Sequence, residues 1–170
     1  IGLGMSRRIV LNDTGLKELP KDEMLAMVGH EMGHYVEGHI WIFFVCSVFG
    51  AGFFLWFLAK VLPLQTKRLY RLGFVTHTTD LAGLPSILLT ISLFLLIQYP
   101  VINLTSRYLE HRADAFALRV THLNEAAARL QVGFAERDFI DPDPPRILHL
   151  WFGTHPTIKE RIEFALTEKE

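Results

Sequence analysis

His30-Glu31-Met32-Gly33-His34 is the segment of this chain whose residue types and spacing point most directly to a chemistry. Two histidines four apart lie about 40° apart around an α-helix and one turn along it, so both imidazoles can grip one zinc ion. The glutamate between them projects beside the open coordination position, where a general base for an attacking water must sit. The pattern therefore points to metal-assisted hydrolysis. Chance would supply it in about two per cent of shuffled chains of this composition, so the reading needs a third ligand from elsewhere in the sequence.

The elements that must position these residues include two long apolar runs. Half of the 170 residues are hydrophobic and the mean hydropathy is positive, at +0.25, both unusual for a soluble globule. In residues 40–62 the only charge is Lys60, and residues 81–104 contain no Asp, Glu, Lys, Arg or His. About 20 apolar residues cross a hydrocarbon core, so both runs qualify as transmembrane helices. The competing reading is a buried hairpin in a soluble protein, which rarely needs runs this long. An integral membrane protein in contact with the lipid bilayer is the expectation. The formal charge of −1 offers no basic excess for nucleic acid. The single cysteine, Cys46, lies inside the first run and excludes a disulfide scaffold. A chain beginning at Ile1 with no signal peptide reads as a fragment of a longer protein.

Residues 7–11, Arg-Arg-Ile-Val-Leu, read as a short strand closed by a turn at Asn12-Asp13-Thr14-Gly15. Pro20 and Asp22 open the zinc helix, expected to run to about Gly38. The division is then a strand and zinc helix in 1–39, a span at 40–62 and a connector at 63–80. A second span follows at 81–104, with the rest of the same core in 105–170. Pro100 should kink the second span near its exit. A helix is expected to continue past it through Glu110 and Asp114, and Asn124 to cap another. Residues 141–145, with three prolines, form a loop. Thr157 and Glu160 have the spacing of a capping box for a last helix beginning at His155-Pro156.

Three residues compete to be the third ligand. His39 follows His34 by five positions, about 140° around a continuous helix, and so points away from the metal. Glu37 shares the histidine face but sits about 4.5 Å beyond His34, which suits a solvated surface acid. Glu110 fits on depth. His34 lies six residues before the first span and Glu110 six residues after Leu104, which puts each about 9 Å from the same membrane face. Asp114, one turn on, is placed to hydrogen-bond the outer nitrogen of a ligating histidine. The plainer alternative for Glu110 and Asp114 is an ordinary helix ion pair with Arg107 or Arg112.

Taken in order, His30-Glu31-Met-Gly-His34 with Gly38-His39, Ser106-Arg107-xx-Glu110-xxx-Asp114-Ala-Phe-Ala, and His155-Pro156 with Arg161 closely resemble the type I CAAX prenyl protease family. Its bacterial relatives include the HtpX-type membrane proteases. Arg8-Ile-Val-Leu-x-Asp-Thr is similar to that family's strand before the zinc helix. The resemblance spans nearly the whole chain. It implies a mainly α fold with a short β element: a zincin-like core with a two-helix transmembrane hairpin inserted between the zinc motifs. It also implies one Zn2+ per chain on His30, His34 and Glu110, Glu31 as general base, and Asp114 orienting a ligand. His155, with Arg161 as a second candidate, would stabilise the developing oxyanion. For His155 the plainer role is helix capping before Pro156. The family has further membrane segments and an Asn-containing substrate strand upstream of the part that Ile1 begins.

The expectation is a zinc-dependent, multi-pass membrane metalloendopeptidase. Its substrates would be peptides or proteins, membrane-associated or prenylated among them. The alternative is a non-catalytic membrane module with an accidental or decayed motif, against which the intact Glu31 argues. Intramembrane site-2 proteases place this motif within a span and take an Asp from another; here the motif precedes the run and the second run has no acid. Lys60, Lys67, Arg68 and Arg71 on the connector side balance Arg107, Arg112 and Arg119 on the other, so charge gives no vote on orientation. The resemblance places the metal site on the cytosolic side.

Overall fold

The computed structural model describes residues 18–77 and 80–168. They are mostly helical, with no strand among them; the strand expected at 7–11 lies outside the described residues. The chain divides into two compact units, Ile1–Ile40 with Pro100–Glu170, and Trp41–Tyr99.

In the first unit, α1 (Lys21–Val36) begins after Pro20, with Asp22 and Glu23 in the first turn, where carboxylates complement the helix dipole. It ends two residues before the expected Gly38. Glu37 and Gly38 alone separate it from α2 (His39–Arg71). Gly38 has φ +68° and donates its N–H to the Tyr35 carbonyl, the left-handed stop that glycine favours. The long helix α3 (Leu84–Thr121) brings its C-terminal part, from Pro100 on, into this unit, followed by α4 (Asn124–Asp138), α5 (Arg146–Phe152) and α6 (Ile158–Thr167). Leu118, Ala128 and Ala165 form a small core, flanked by Ile162 and Phe164. Arg129 of α4 binds both Asp22 and the buried Glu23 of α1, so the charge buried at the helix start is paired.

Two local expectations are corrected. Asn124 does not cap α4. It is the helix's first residue, and its amide donates to the Glu168 carbonyl at 2.9 Å. His122, at φ 54°, turns the chain there, and Thr121 Oγ1 accepts the Leu123 N–H. The final helix does carry the capping box, with Thr157 as cap and Glu160 reciprocating. It starts at Ile158, so His155 and Pro156 lie just outside it.

The second unit holds the apolar parts of α2 and α3 and a 3-10 turn at Leu81–Gly83. Gln65 reaches Ser86 and Thr90, Phe57 and Phe53 meet Phe94, and Gly50 lies near Gln98. Contacts that rise in number on one helix as they fall on the other define an antiparallel hairpin. α2 runs through Pro63 to Arg71, so the first half of the expected connector is helical. One proline removes a single backbone donor, and the Lys and Arg residues beyond it are good helix formers. Both helices are long and apolar enough to cross a membrane, and the most apolar 18-residue stretch of each is unburied by protein. Phe49 and Leu55 are 75% and 65% exposed, whereas a buried soluble hairpin would cover them.

Candidate metal centre

The site begins with two helices packed closely enough for short side chains to meet. A Cβ on Gly33 would stand 3.0 Å from both Cα and O of Ala113, and one on Gly29 would stand 2.9 Å from the Thr121 methyl. Only hydrogen at these positions lets α1 lie against the small residues Ala113 and Ala117 of α3. The neighbouring His30 and His34 then reach across to Glu110.

His30 Nε2 and His34 Nε2 are 3.1 Å apart. Glu110 presents Oε2 to His30 at 3.3 Å and Oε1 to His34 at 3.4 Å. The three residues form a group able to hold a metal ion. Glu110 Oε2 is buried, yet it makes no hydrogen bond of ordinary geometry. Burial works against ionisation of Glu110, but its contacts with His30 and His34 and the charges of His155 and His30 outweigh burial and hold the carboxyl well below its usual range.

Behind His30, Asp114 Oδ1 accepts from the outer Nδ1 at 2.8 Å. Arg161 holds Asp114 with two bonds, Nε to Oδ2 at 2.8 Å and Nη2 to Oδ1 at 2.6 Å. Glu110 and Asp114 therefore do not form the surface pairs with Arg107 or Arg112. Arg107 instead donates to the His149 and Gly153 carbonyls at the end of α5. Burial lowers the pKa of His30, yet hydrogen bonds to Asp114 and Glu110 prevail and raise it to about 9. Asp114 is pushed up by burial but pulled below its ordinary value by His30 and Arg161.

His155 Nε2 lies 3.4 Å from Glu110 Oε2, and its side chain is half exposed. His149, whose Nε2 donates to the His155 carbonyl, ties this residue to α5. Burial first, then the charges of Arg161 and His30, keeps the His155 pKa below its ordinary value despite Glu110. Glu31 is exposed and shares with His30, Glu110, His155 and Arg161 the lining of a cavity of about 220 Å³. The lining also includes the apolar Met27, Leu130, Phe134 and Phe164, together with Gln131, whose Oε1 is buried without a hydrogen-bond partner.

The expectations for His39 and Glu37 are corrected. Because the helix stops at Val36 and Gly38 turns the chain, counting 140° around a continuous helix does not apply. His39 is 2% exposed, and its Nδ1 lies 2.8 Å from His34 Nδ1. Glu37 is not a solvated acid: its side chain is 12% exposed, 2.9 Å from Arg112 Nε, 3.6 Å from Arg119 Nη2 and 3.3 Å from His39 Nε2. Burial raises the Glu37 pKa, but Arg112 and His39 bring it below its ordinary value. Burial and the neighbouring His34 keep His39 below the ordinary histidine value. The glycine after the motif was the signal in the sequence for this turn.

Residues 1–169 match the family model described as Peptidase family M48. The chain belongs to peptidase family M48. It is 38% identical to the "Uncharacterized metalloprotease YhfN" of Bacillus subtilis (strain 168), over 99% of this chain and 39% of that protein. It is 32% identical to the "CAAX prenyl protease 1 homolog" of Dictyostelium discoideum, over 94% of this chain and 37% of that protein. For the human protein of the same name the identity is 28%, over 88% and 31%. The chain thus spans about two fifths or less of the length of these curated relatives. M48 membership makes it a metallopeptidase sequence, and homologues named CAAX prenyl protease 1 are among the proteins it is similar to.

Proposed function

We propose that this chain carries the catalytic centre of a zinc-dependent integral-membrane endopeptidase, with His30, His34 and Glu110 as the ligands. The observation that carries the proposal is the separation of the ligand atoms. Zinc bonds of about 2.1 Å in a tetrahedral arrangement place neighbouring ligands about 3.4 Å apart; here the two Nε2 atoms are 3.1 Å apart, and each lies 3.3 or 3.4 Å from one oxygen of Glu110, Oε2 for His30 and Oε1 for His34. Two imidazoles and a carboxylate also leave one position open, as a catalytic rather than a structural site requires. When bound, zinc supplies Lewis acidity toward water and the scissile carbonyl.

The chain's own residues do the rest. Glu31 takes the proton of the attacking water and passes it to the leaving amine. Its exposure on the cavity lets it reach both. His155, on the open side of Glu110, donates to the oxyanion as it develops. Arg161, committed to Asp114 by two hydrogen bonds, acts by fixing that carboxylate, and Asp114 in turn orients His30. The apolar part of the cavity lining accepts an apolar side chain of a peptide substrate. The two unburied apolar helices support a multi-pass anchor and substrates that are themselves membrane-associated. The names of the CAAX prenyl protease relatives support prenylated peptides among them, and the resemblance of the ordered motifs to that family is the ground for a cytosolic metal site. The peptidase core is built from residues 1–39 and 105–170 with the spans 40–62 and 81–104 inserted, a division the two compact units support.

The test compares wild-type full-length protein with Glu31→Gln in metal analysis and a proteolysis assay. Retained zinc with lost cleavage is expected. Cleavage by the variant at the wild-type rate would remove Glu31 from the mechanism, and a zinc-free wild type would favour a non-catalytic module.

A further inference from the structure

Each proposed ligand histidine turns one nitrogen toward Glu110 and the other away. For His30 the outer nitrogen meets Asp114. For His34 it meets His39, at 2.8 Å between the two Nδ1 atoms. Two ring nitrogens at that separation need one N–H and one bare nitrogen between them. If His34 ligates through Nε2, its proton sits on Nδ1 and donates, and His39 Nδ1 accepts. The His39 proton then lies on Nε2, 3.3 Å from Glu37 Oε2, and Glu37 is itself held by Arg112 at 2.9 Å.

We infer that His39 is a positioning residue for the metal centre, fixing the tautomer and ring orientation of His34 through a chain His34–His39–Glu37–Arg112. It is the counterpart of His30–Asp114–Arg161, with a neutral imidazole interposed before the carboxylate. Three features are explained together. His39 is buried at 2% exposure although it opens a long apolar helix. Gly38 adopts φ +68°, which returns the next side chain toward α1. Glu37 is drawn in from solvent between His39 and two arginines. The inference rests on the proposed zinc site, since without a ligand on His34 Nε2 nothing selects the tautomer.

The test measures zinc affinity by chelator competition, and the visible spectrum of the cobalt-substituted protein, on full-length protein in detergent. His39→Ala is expected to lose about 10- to 100-fold in affinity, as outer partners of ligating histidines do, and to shift the cobalt bands. His39→Asn, whose Oδ1 can accept where Nδ1 did, should restore most of the affinity. Glu37→Ala opens no cavity at the buried position and should weaken binding in the same direction by less. Wild-type affinity and spectrum in His39→Ala, or in Glu37→Ala should the first variant not fold, overturn the relay, provided Glu110→Ala loses its zinc. A Glu110→Ala protein with undiminished affinity overturns the ligand set and the relay with it.

Discussion

Adding one methyl group at Gly33 tests whether the close contact of α1 with α3 sets the metal centre. The new Cβ would stand 3.0 Å from Cα and O of Ala113 and 3.1 Å from Cβ of Phe116. The nearest of these are backbone atoms that cannot rotate away. Ordinary contact begins at 3.4 Å, so α1 must lift by at least 3.4 − 3.0 = 0.4 Å. Metal–ligand distances tolerate about ±0.2 Å, so the lift takes His34 outside the range in which it can share an ion with Glu110. Overpacking of this kind costs about 1–3 kcal/mol, while Ala gains about 1 kcal/mol over Gly in a helix interior. Stability should therefore fall by about 0–2 kcal/mol while function falls further. A misplacement of about 1 Å can cost about 100-fold in rate, so about tenfold is expected here, with weaker zinc binding. Gly52→Ala is the control, because its added Cβ meets nothing within 4 Å. Chelator competition, proteolysis rates and thermal unfolding would be measured side by side. Wild-type zinc affinity and rate in Gly33→Ala would refute the claim that this helix contact positions the ligands.

Asp114→Asn should lower zinc affinity by about 10- to 100-fold but retain some cleavage, because an amide cannot hold both the His30 N–H and Arg161 as the carboxylate does; unchanged affinity by chelator titration would contradict this. Two crossings predict opposite labelling sides for the turn between the spans and for the last helix. With Cys46 replaced by Ala, a cysteine at His77 and one at Thr157 should react with an impermeant reagent from opposite faces of sealed vesicles; labelling of both from one face would mean that a run does not cross.

Much of the site was legible because its chemistry depends on spacing within helices. His30 and His34 share a face by helical periodicity, and Glu110 and Asp114 follow the same rule one turn apart. Equal distances from the two apolar runs pair Glu110 with the motif before any fold is known, and the structure sets its two oxygens against the two histidines. The structure assigns Arg161 to Asp114, a pairing between α3 and α6 that no spacing encodes. His39 was misplaced for a local reason: the helical wheel was carried past Gly38, where the chain leaves the helix. Glu37 was misread with it, since its partners Arg112 and Arg119 belong to a helix 75 or more residues away. The expected first span stops where its apolar run does, at residue 62, whereas the helix that contains it continues to Arg71, because helices end with their hydrogen bonding and not with their apolarity.

X-ray absorption at the zinc edge on purified full-length protein tests the proposed ligand set most directly. The account predicts about one zinc per chain with two imidazole nitrogens at about 2.0–2.1 Å and a carboxylate oxygen at about 2.0–2.2 Å, and loss of the metal in Glu110→Ala. A zinc-free protein, or a bound zinc with fewer than two imidazole ligands, would contradict it.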